Sequence, residues 1–114
     1  MTSSPQEPAA NTISCEVMQI LSSKWAFLII TFLDERPLRF RQLQRKAAII
    51  TTQSLTNSLR HLEQIGVVKR KVIPTVPITV EYSLTEKGKD FHLSVKEMAK
   101  WEVKWGKGRP VYPG

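Results

Sequence analysis

Thr51, Thr52, Gln53, Thr56, Asn57 and Arg60 are the residues of this chain best equipped to read base edges. Asn and Gln amides can bond bidentately to adenine N6 and N7, and an Arg guanidinium to guanine O6 and N7, in the major groove of DNA. On a helix turning about 100° per residue, Gln53, Thr56, Asn57, Arg60 and Gln64 share one side. Leu55, Leu59 and Leu62 recur at i, i+4, i+7 on the other, so the stretch reads as an amphipathic helix. Thr51 is a suitable N-cap, and Gly66 can take the left-handed conformation that closes a helix. A solvated helix usually carries Glu and Lys on its outer face, often in i,i+4 pairs. This face carries amides, a hydroxyl and a single charge. A polar surface helix of any soluble domain is the competing reading of the same stretch.

A second set could grip a phosphate backbone: Arg39, Arg41 and Arg45 before that helix, and Lys69, Arg70, Lys71 and Thr79 after it. Arg39 to Ala48 is short and amphipathic, with Phe40, Leu43 and Ala47 facing one way and Arg41, Arg45 and Lys46 the other. Two short helices joined by Ala48 to Ile50, the second polar outside, form a helix-turn-helix pattern. The first helix then offers arginines where phosphates would lie; a plain solvated face is the alternative. Val67 to Ile73 is β-rich, Pro74 to Pro77 cannot supply two amide protons to a ladder, and Ile78 to Leu84 alternates with the period of a strand. The pair reads as a hairpin, the wing of a winged-helix domain.

The remaining elements must hold these two sets in place. Ser14 can cap a first helix with Val17, Ile20 and Leu21 on its apolar edge. Ser22-Ser23 interrupts it, and Lys24 to Leu33 resumes with the stripe Trp25, Leu28, Ile29 and Phe32 before Asp34 to Pro37 turns the chain. Thr85 caps a long helix running to about Trp105, its seam marked by Phe91, Val95, Met98, Trp101 or Glu102, and Trp105. That seam is longer than a small domain needs to cover itself. It is expected, with Val17 and Ile20, to form the interface of a two-fold homodimer; folding back on the first helix is the alternative. The expected fold class is mainly α with a small β-hairpin, a winged helix-turn-helix with terminal dimerisation helices. Residues 1–12 are expected to be a flexible tail, 13–105 the domain, and 106–114 a C-terminal tail.

Charge points the same way. The 114 residues fit one domain, and 41% apolar with 24% charged content is globular rather than disordered. The net charge of +7 favours a polyanionic partner. Residues 1–35 carry one basic and four acidic groups, whereas residues 36–89 carry eleven basic and three acidic, so the excess lies with the reading helix. A lone cysteine, Cys15, cannot make an intrachain disulfide, which excludes a stapled secreted scaffold. The N-terminus has neither a basic n-region nor an apolar h-region, and Trp25 to Leu33 is too short to cross a membrane. A cytoplasmic protein without membrane contact is expected. No enzyme, cofactor or metal is expected either: His61 and His92 fall on different helices without ligand spacing, and no glycine-rich phosphate loop is present. His61 reads as a surface or hinge residue and His92 as a solvated or interface one.

Taken together these segments resemble the HxlR-type winged helix-turn-helix family of bacterial transcription regulators, which is MarR-like. The resemblance covers roughly Cys15 to Gly106. It is carried by Lys24-Trp25, Arg39-Phe40 with Leu43, Leu55-Thr56 with Leu59-Arg60 and Leu62-Glu63, and Gly66-Val67-Val68 with Arg70. Past the hairpin turn it continues through Pro74, Val76-Pro77, Glu81-Tyr82-Ser83-Leu84-Thr85 and Gly88. It implies a homodimer that binds double-stranded DNA at an inverted-repeat operator, with a reading helix matching Thr51 to Glu63 and a wing matching Lys71 to Val80. The sequence departs from the family pattern in three places. Glu16 follows Cys15 where proline is frequent, Ser23 precedes Lys24 where glycine is frequent, and Ile78 and Thr79 stand where a second proline and a basic residue are frequent. The last departure leaves more of the wing's work to Lys69, Arg70 and Lys71.

Family members with a cysteine at this place often sense oxidants or electrophiles, which makes Cys15 a candidate redox sensor. A Ser14 cap would put Cys15 in a first helical turn, where amides and dipole favour a thiolate, and Glu16 opposes this. A buried inert cysteine is the other reading. Without a second cysteine, sensing requires a disulfide between subunits or a mixed disulfide with a small thiol. At the level of function, the alternative is a winged-helix module that binds RNA or a protein partner without operator specificity.

Overall fold

The computed structural model describes residues 15–106, and of Cys15 only its backbone position. The expectations for both tails and for the Ser14 cap fall largely or wholly outside the described residues. Among the described residues, five helices and three strands follow in the order α1 (Cys15–Leu21), α2 (Ala26–Glu35), β1 (Leu38–Arg39), α3 (Phe40–Lys46), α4 (Thr52–Ile65), β2 (Val68–Ile73), β3 (Thr79–Leu84) and α5 (Glu86–Trp105). The strands form one antiparallel sheet in the order β1-β3-β2. The chain is therefore mainly helical with a winged hairpin, as its periodicities indicate.

α2 is the centre of the core and the first departure from expectation. Its buried side chains are Ala26, Ile29, Ile30 and Leu33, while Trp25, Leu28 and Phe32 are half-buried. The stripe is turned because α2 packs against α1, α3, α4, α5 and β3 at once. A helix that is apolar nearly all round has no single inward face for a periodicity to mark. Ile20 is a second correction. Expected at a dimer interface, it is 3% exposed and packed in the chain's own core, so it has no surface to offer a partner.

The helix-turn-helix forms where its caps place it. The Arg39 amide donates to Gln42 Oε1 at 2.8 Å to start α3, and the Ser54 amide donates to Thr51 Oγ1 at 3.1 Å to start α4. Gly66, at φ 93°, closes α4 with its amide bonded to Leu62 O and Glu63 O. Leu55, Leu59 and Leu62 are fully enclosed, as are Leu43 and Ala47 beneath α3. β1 is a strand that the sequence pattern does not reveal: Leu38 pairs with Tyr82 and Arg39 with Glu81, adding an edge to the hairpin.

A tight joint then ties three elements together. Thr85 Oγ1 donates to Gly66 O at 2.5 Å and accepts from the Gly88 amide at 3.1 Å. Lys87 Nζ donates to Ile65 O at 2.8 Å and also pairs with Glu16 of α1. A Cβ at Gly88 would lie 2.1 Å from Val67 O, so only glycine admits this approach of α5 to the strand.

The first half of α5 docks on α2, with the Phe27 and Phe91 ring centroids 6.3 Å apart. His92 is a third correction: it is 6% exposed, and its Nδ1 lies 3.3 Å from Asp34 Oδ2. It fills the α2–α5 contact rather than meeting solvent. Beyond Val95, which is half-buried, the helix leaves the domain. Trp101 is 62% and Trp105 65% exposed, and Met98 is also exposed, so this stretch does not fold back under α1.

Candidate nucleic-acid interface

α4 carries its polar face outward. Thr51, Thr52, Gln53, Asn57 and Arg60 are exposed and Thr56 is half-buried. Gln53, Thr56, Asn57 and Arg60 turn away from the enclosed leucines, and Thr51 and Thr52 stand at the N-terminal end of the helix. Gln53 Nε2 donates to Asn57 Oδ1 at 3.1 Å, which aligns the two amides along the helix. Gln44 Nε2 donates to Thr52 Oγ1 at 3.2 Å and so fixes the first turn of α4 against α3. The amide pair presents donors and acceptors to solvent in the spacing of one helical turn, an arrangement that a base edge could meet without desolvating a charge.

The arginines of α3 border this face. Arg41 and Arg45 line a cleft of about 660 Å³ between α3 and the hairpin, with Arg39, Arg70, Thr79 and Tyr82 around it. A smaller hollow of about 360 Å³ lies between α4 and the sheet, lined by Thr56, Arg60, Glu63, Arg70 and Tyr82. Arg70 and Tyr82 line both, and they are cross-strand partners. They therefore join the reading helix to the wing. Tyr82 was not singled out by residue type. Its place follows from the register Arg70↔Tyr82, which a strand's period suggests only once the pairing is known.

The pleat separates three cations that the sequence presents as one grip. Successive strand residues point to opposite faces, so Arg70 shares its face with Val68, Tyr82 and Leu84 towards the helices. Lys69 and Lys71, paired with Ser83 and Glu81, lie on the reverse of the hairpin. Arg39 also sits in that reverse row, across Glu81 from Lys71. Thr79 pairs with Ile73 at the tip end of β3 and reaches the rim of the cleft.

None of Arg39, Arg41, Arg45, Arg60, Lys69, Arg70 and Lys71 forms an ion pair with another described residue. Lys46, Lys87, Lys89 and Lys100 do, with Glu35, Glu16, Glu86 and Glu97. Lys24, Arg36, Lys96 and Lys104 likewise form none, so what distinguishes Arg41, Arg45, Arg60 and Arg70 is that they gather about one cleft and its neighbouring hollow, where an external anion could be held. His61 is half-buried beside a separate hollow with Glu16, Gln19 and Gln64. Among the described residues no group of three His, Cys, Asp or Glu is placed to hold a metal ion, and no helix is long and apolar enough to cross a membrane.

Comparison with known proteins gives a consistent picture. Residues 20–109 match the model of the HxlR-like helix-turn-helix family. An uncharacterized HTH-type transcriptional regulator of Halalkalibacterium halodurans is 40% identical over 88 residues, 76% of this chain and 78% of that protein. The solved reduced form of the transcriptional regulator YodB from B. subtilis superposes with a TM-score of 0.74 at 29% identity, covering 87% of this chain and 100% of that one. The redox regulator HypR in its oxidised form superposes with a TM-score of 0.73 at 34% identity, covering 83% of this chain and 95% of that one. With the winged architecture and the outward polar face of α4 already in view, these likenesses fix the assignment: the chain belongs to the HxlR-like helix-turn-helix family of transcriptional regulators.

Proposed function

We propose that two copies of this chain bind an inverted-repeat DNA operator, each setting α4 in a major groove. The observation that carries the reading is the outward face of Gln53, Asn57 and Arg60, bordered by arginines that form no ion pair with another described residue. Thr51, Thr52, Gln53, Thr56, Asn57 and Arg60 face base edges or adjacent phosphates. Each good bidentate contact contributes ~1–3 kcal/mol of discrimination. Arg41, Arg45 and Arg70 hold phosphates beside the groove, so affinity falls steeply with salt. The exposed Met98, Trp101 and Trp105 of α5, with Val17 of α1 and the half-buried Phe91 and Val95, form the dimer contact. The two half-sites then lie about 10 base pairs apart, or a multiple of that. Sequencing the genomic DNA retained by the purified protein tests the reading. An enriched two-fold symmetric motif is expected. Random fragments, or preferential recovery of RNA, would refute it in favour of a module without operator specificity.

A second layer is supported by the likeness to HypR, a redox regulator, and by Cys15 standing at the first residue of α1. Amides of a first helical turn favour a thiolate there. Diamide takes up two electrons and two protons as two thiols join in one disulfide, either between the Cys15 residues of two subunits or between Cys15 and a small thiol. Operator binding by the wild type should change after diamide and that by Cys15→Ser should not. Unchanged wild-type binding would remove redox sensing while leaving operator recognition intact.

A further inference from the structure

Nine consecutive residues at the end of the hairpin, Val72 to Val80, carry no charge in a chain that is 24% charged. The apolar side chains gather at the tip itself, where Val76 is fully exposed and Ile78 69% exposed. The tip is held in shape by Thr75, whose Oγ1 donates to Pro77 O at 2.7 Å and lies 2.8 Å from Thr79 Oγ1. Apolar residues scattered singly over a surface need no explanation, but a group of them without charge at the end of a projecting hairpin does. The tip is also continuous with the cationic face, because Pro77 and Ile78 form a wall of the cleft that Arg41 and Arg45 line from the other side.

We propose that Val76, Pro77 and Ile78 lie in the DNA minor groove flanking each half-site and select A·T pairs there by excluding the 2-amino group of guanine. This rests on the reading of α4 as a major-groove helix. In the minor groove every base pair presents acceptors, and G·C alone adds the N2 donor. The acceptors are common to all pairs, so that amino group is the whole difference the tip can sense. A hydrocarbon tip pressed to the groove floor offers it no acceptor, and a donor buried without a partner is costly. Cationic wings act by attraction, whereas this one acts by rejection. No cation stands within the charge-free stretch, so the selection does not depend on counterion release and should persist as salt rises.

The test uses the full chain and a duplex selected by the wild type from a random pool. The base pairs flanking each half-site are rebuilt as A·T, as G·C, or as inosine·C, which keeps the major-groove pattern of G·C but lacks the 2-amino group. A·T and inosine·C flanks should bind alike and G·C flanks on the order of tenfold more weakly. The ratio should be the same at low and moderate salt. The double variant Val76→Thr with Ile78→Thr keeps β-branched side chains at exposed positions, so its fold is preserved while hydroxyls able to accept from guanine are introduced. It should bring the three flanks to within about twofold of one another. Equal wild-type binding to all three flanks, inosine·C behaving like G·C, or a double variant that keeps the preference would each overturn the proposal. Insensitivity of the wild type to changes in the half-site core is a separate outcome. That result would remove the major-groove reading itself.

Discussion

Arg70 and Lys71 are adjacent in sequence, both exposed and both basic, yet the pleat gives them opposite faces. Arg70→Ala and Lys71→Ala should therefore differ sharply in DNA binding. Each phosphate neutralised on duplex DNA contributes about −0.9 to the slope of log affinity against log salt. If Arg70 holds one phosphate, its loss flattens that slope by about 0.9, and the wild-type advantage over the variant shrinks roughly 3.5-fold for each fourfold rise in salt. Lys71 lies across from Glu81 on the reverse of the hairpin, so Lys71→Ala should shift the slope by no more than a few tenths from the general loss of one charge. Fluorescence anisotropy of a labelled operator, titrated at four or more salt concentrations, reads both slopes directly. Neither residue is buried, so circular dichroism should show both variants folded as the wild type. A Lys71→Ala slope change equal to or larger than that of Arg70→Ala would refute the assignment of Arg70's face to DNA, and with it the proposed docking of the wing.

Three further outcomes follow from the same geometry. Asn57→Ala and Arg60→Ala should relax sequence preference by ~1–3 kcal/mol per contact in competition binding, whereas Arg41→Ala should weaken all duplexes about equally. Equal behaviour of the two classes would count against the division into reading and gripping residues. Gly88→Ala places a methyl group 2.1 Å from Val67 O and should lower stability by roughly 1–3 kcal/mol or more in thermal or urea unfolding. Trp101→Ala with Trp105→Ala should shift the protein from dimer to monomer in sedimentation velocity while leaving its helical content unchanged, since both side chains lie clear of the domain.

Much of this molecule could be read before any coordinates. α4 was legible because three signals agree within sixteen residues: a capping threonine at 51, leucines at helical spacing, and a glycine at 66 whose φ is positive. The helix-turn-helix was legible from leucines at helical spacing, and the hairpin from β-rich runs on either side of a proline turn, although the burial of its two strands does not alternate. What escaped had no period to show. A two-residue strand such as β1 is defined by its partner, not by its own residues. α2 is covered on several sides, so its apolar residues do not name an inward face. Ile20 and His92 were misplaced because a short edge and a single histidine look alike whether they meet solvent, a second subunit or the chain's own interior. The division of Lys69, Arg70 and Lys71 required the register of β2 on β3, and the role of Tyr82 required the same fact.

The joint at Thr85 and Gly88 has a mechanical consequence. It clamps the end of α4, the root of the wing and the start of α5 with short hydrogen bonds and a backbone approach that tolerates no side chain. α5 is 20 residues long, a rod of roughly 30 Å. A tilt of about 10° at its base would carry its far end roughly 5 Å sideways over that length. Whatever grips the tryptophans of α5 therefore works a lever whose short arm is the reading helix. In the proposed dimer, re-angling that rod would alter the spacing between the two α4 helices, with no change inside either domain.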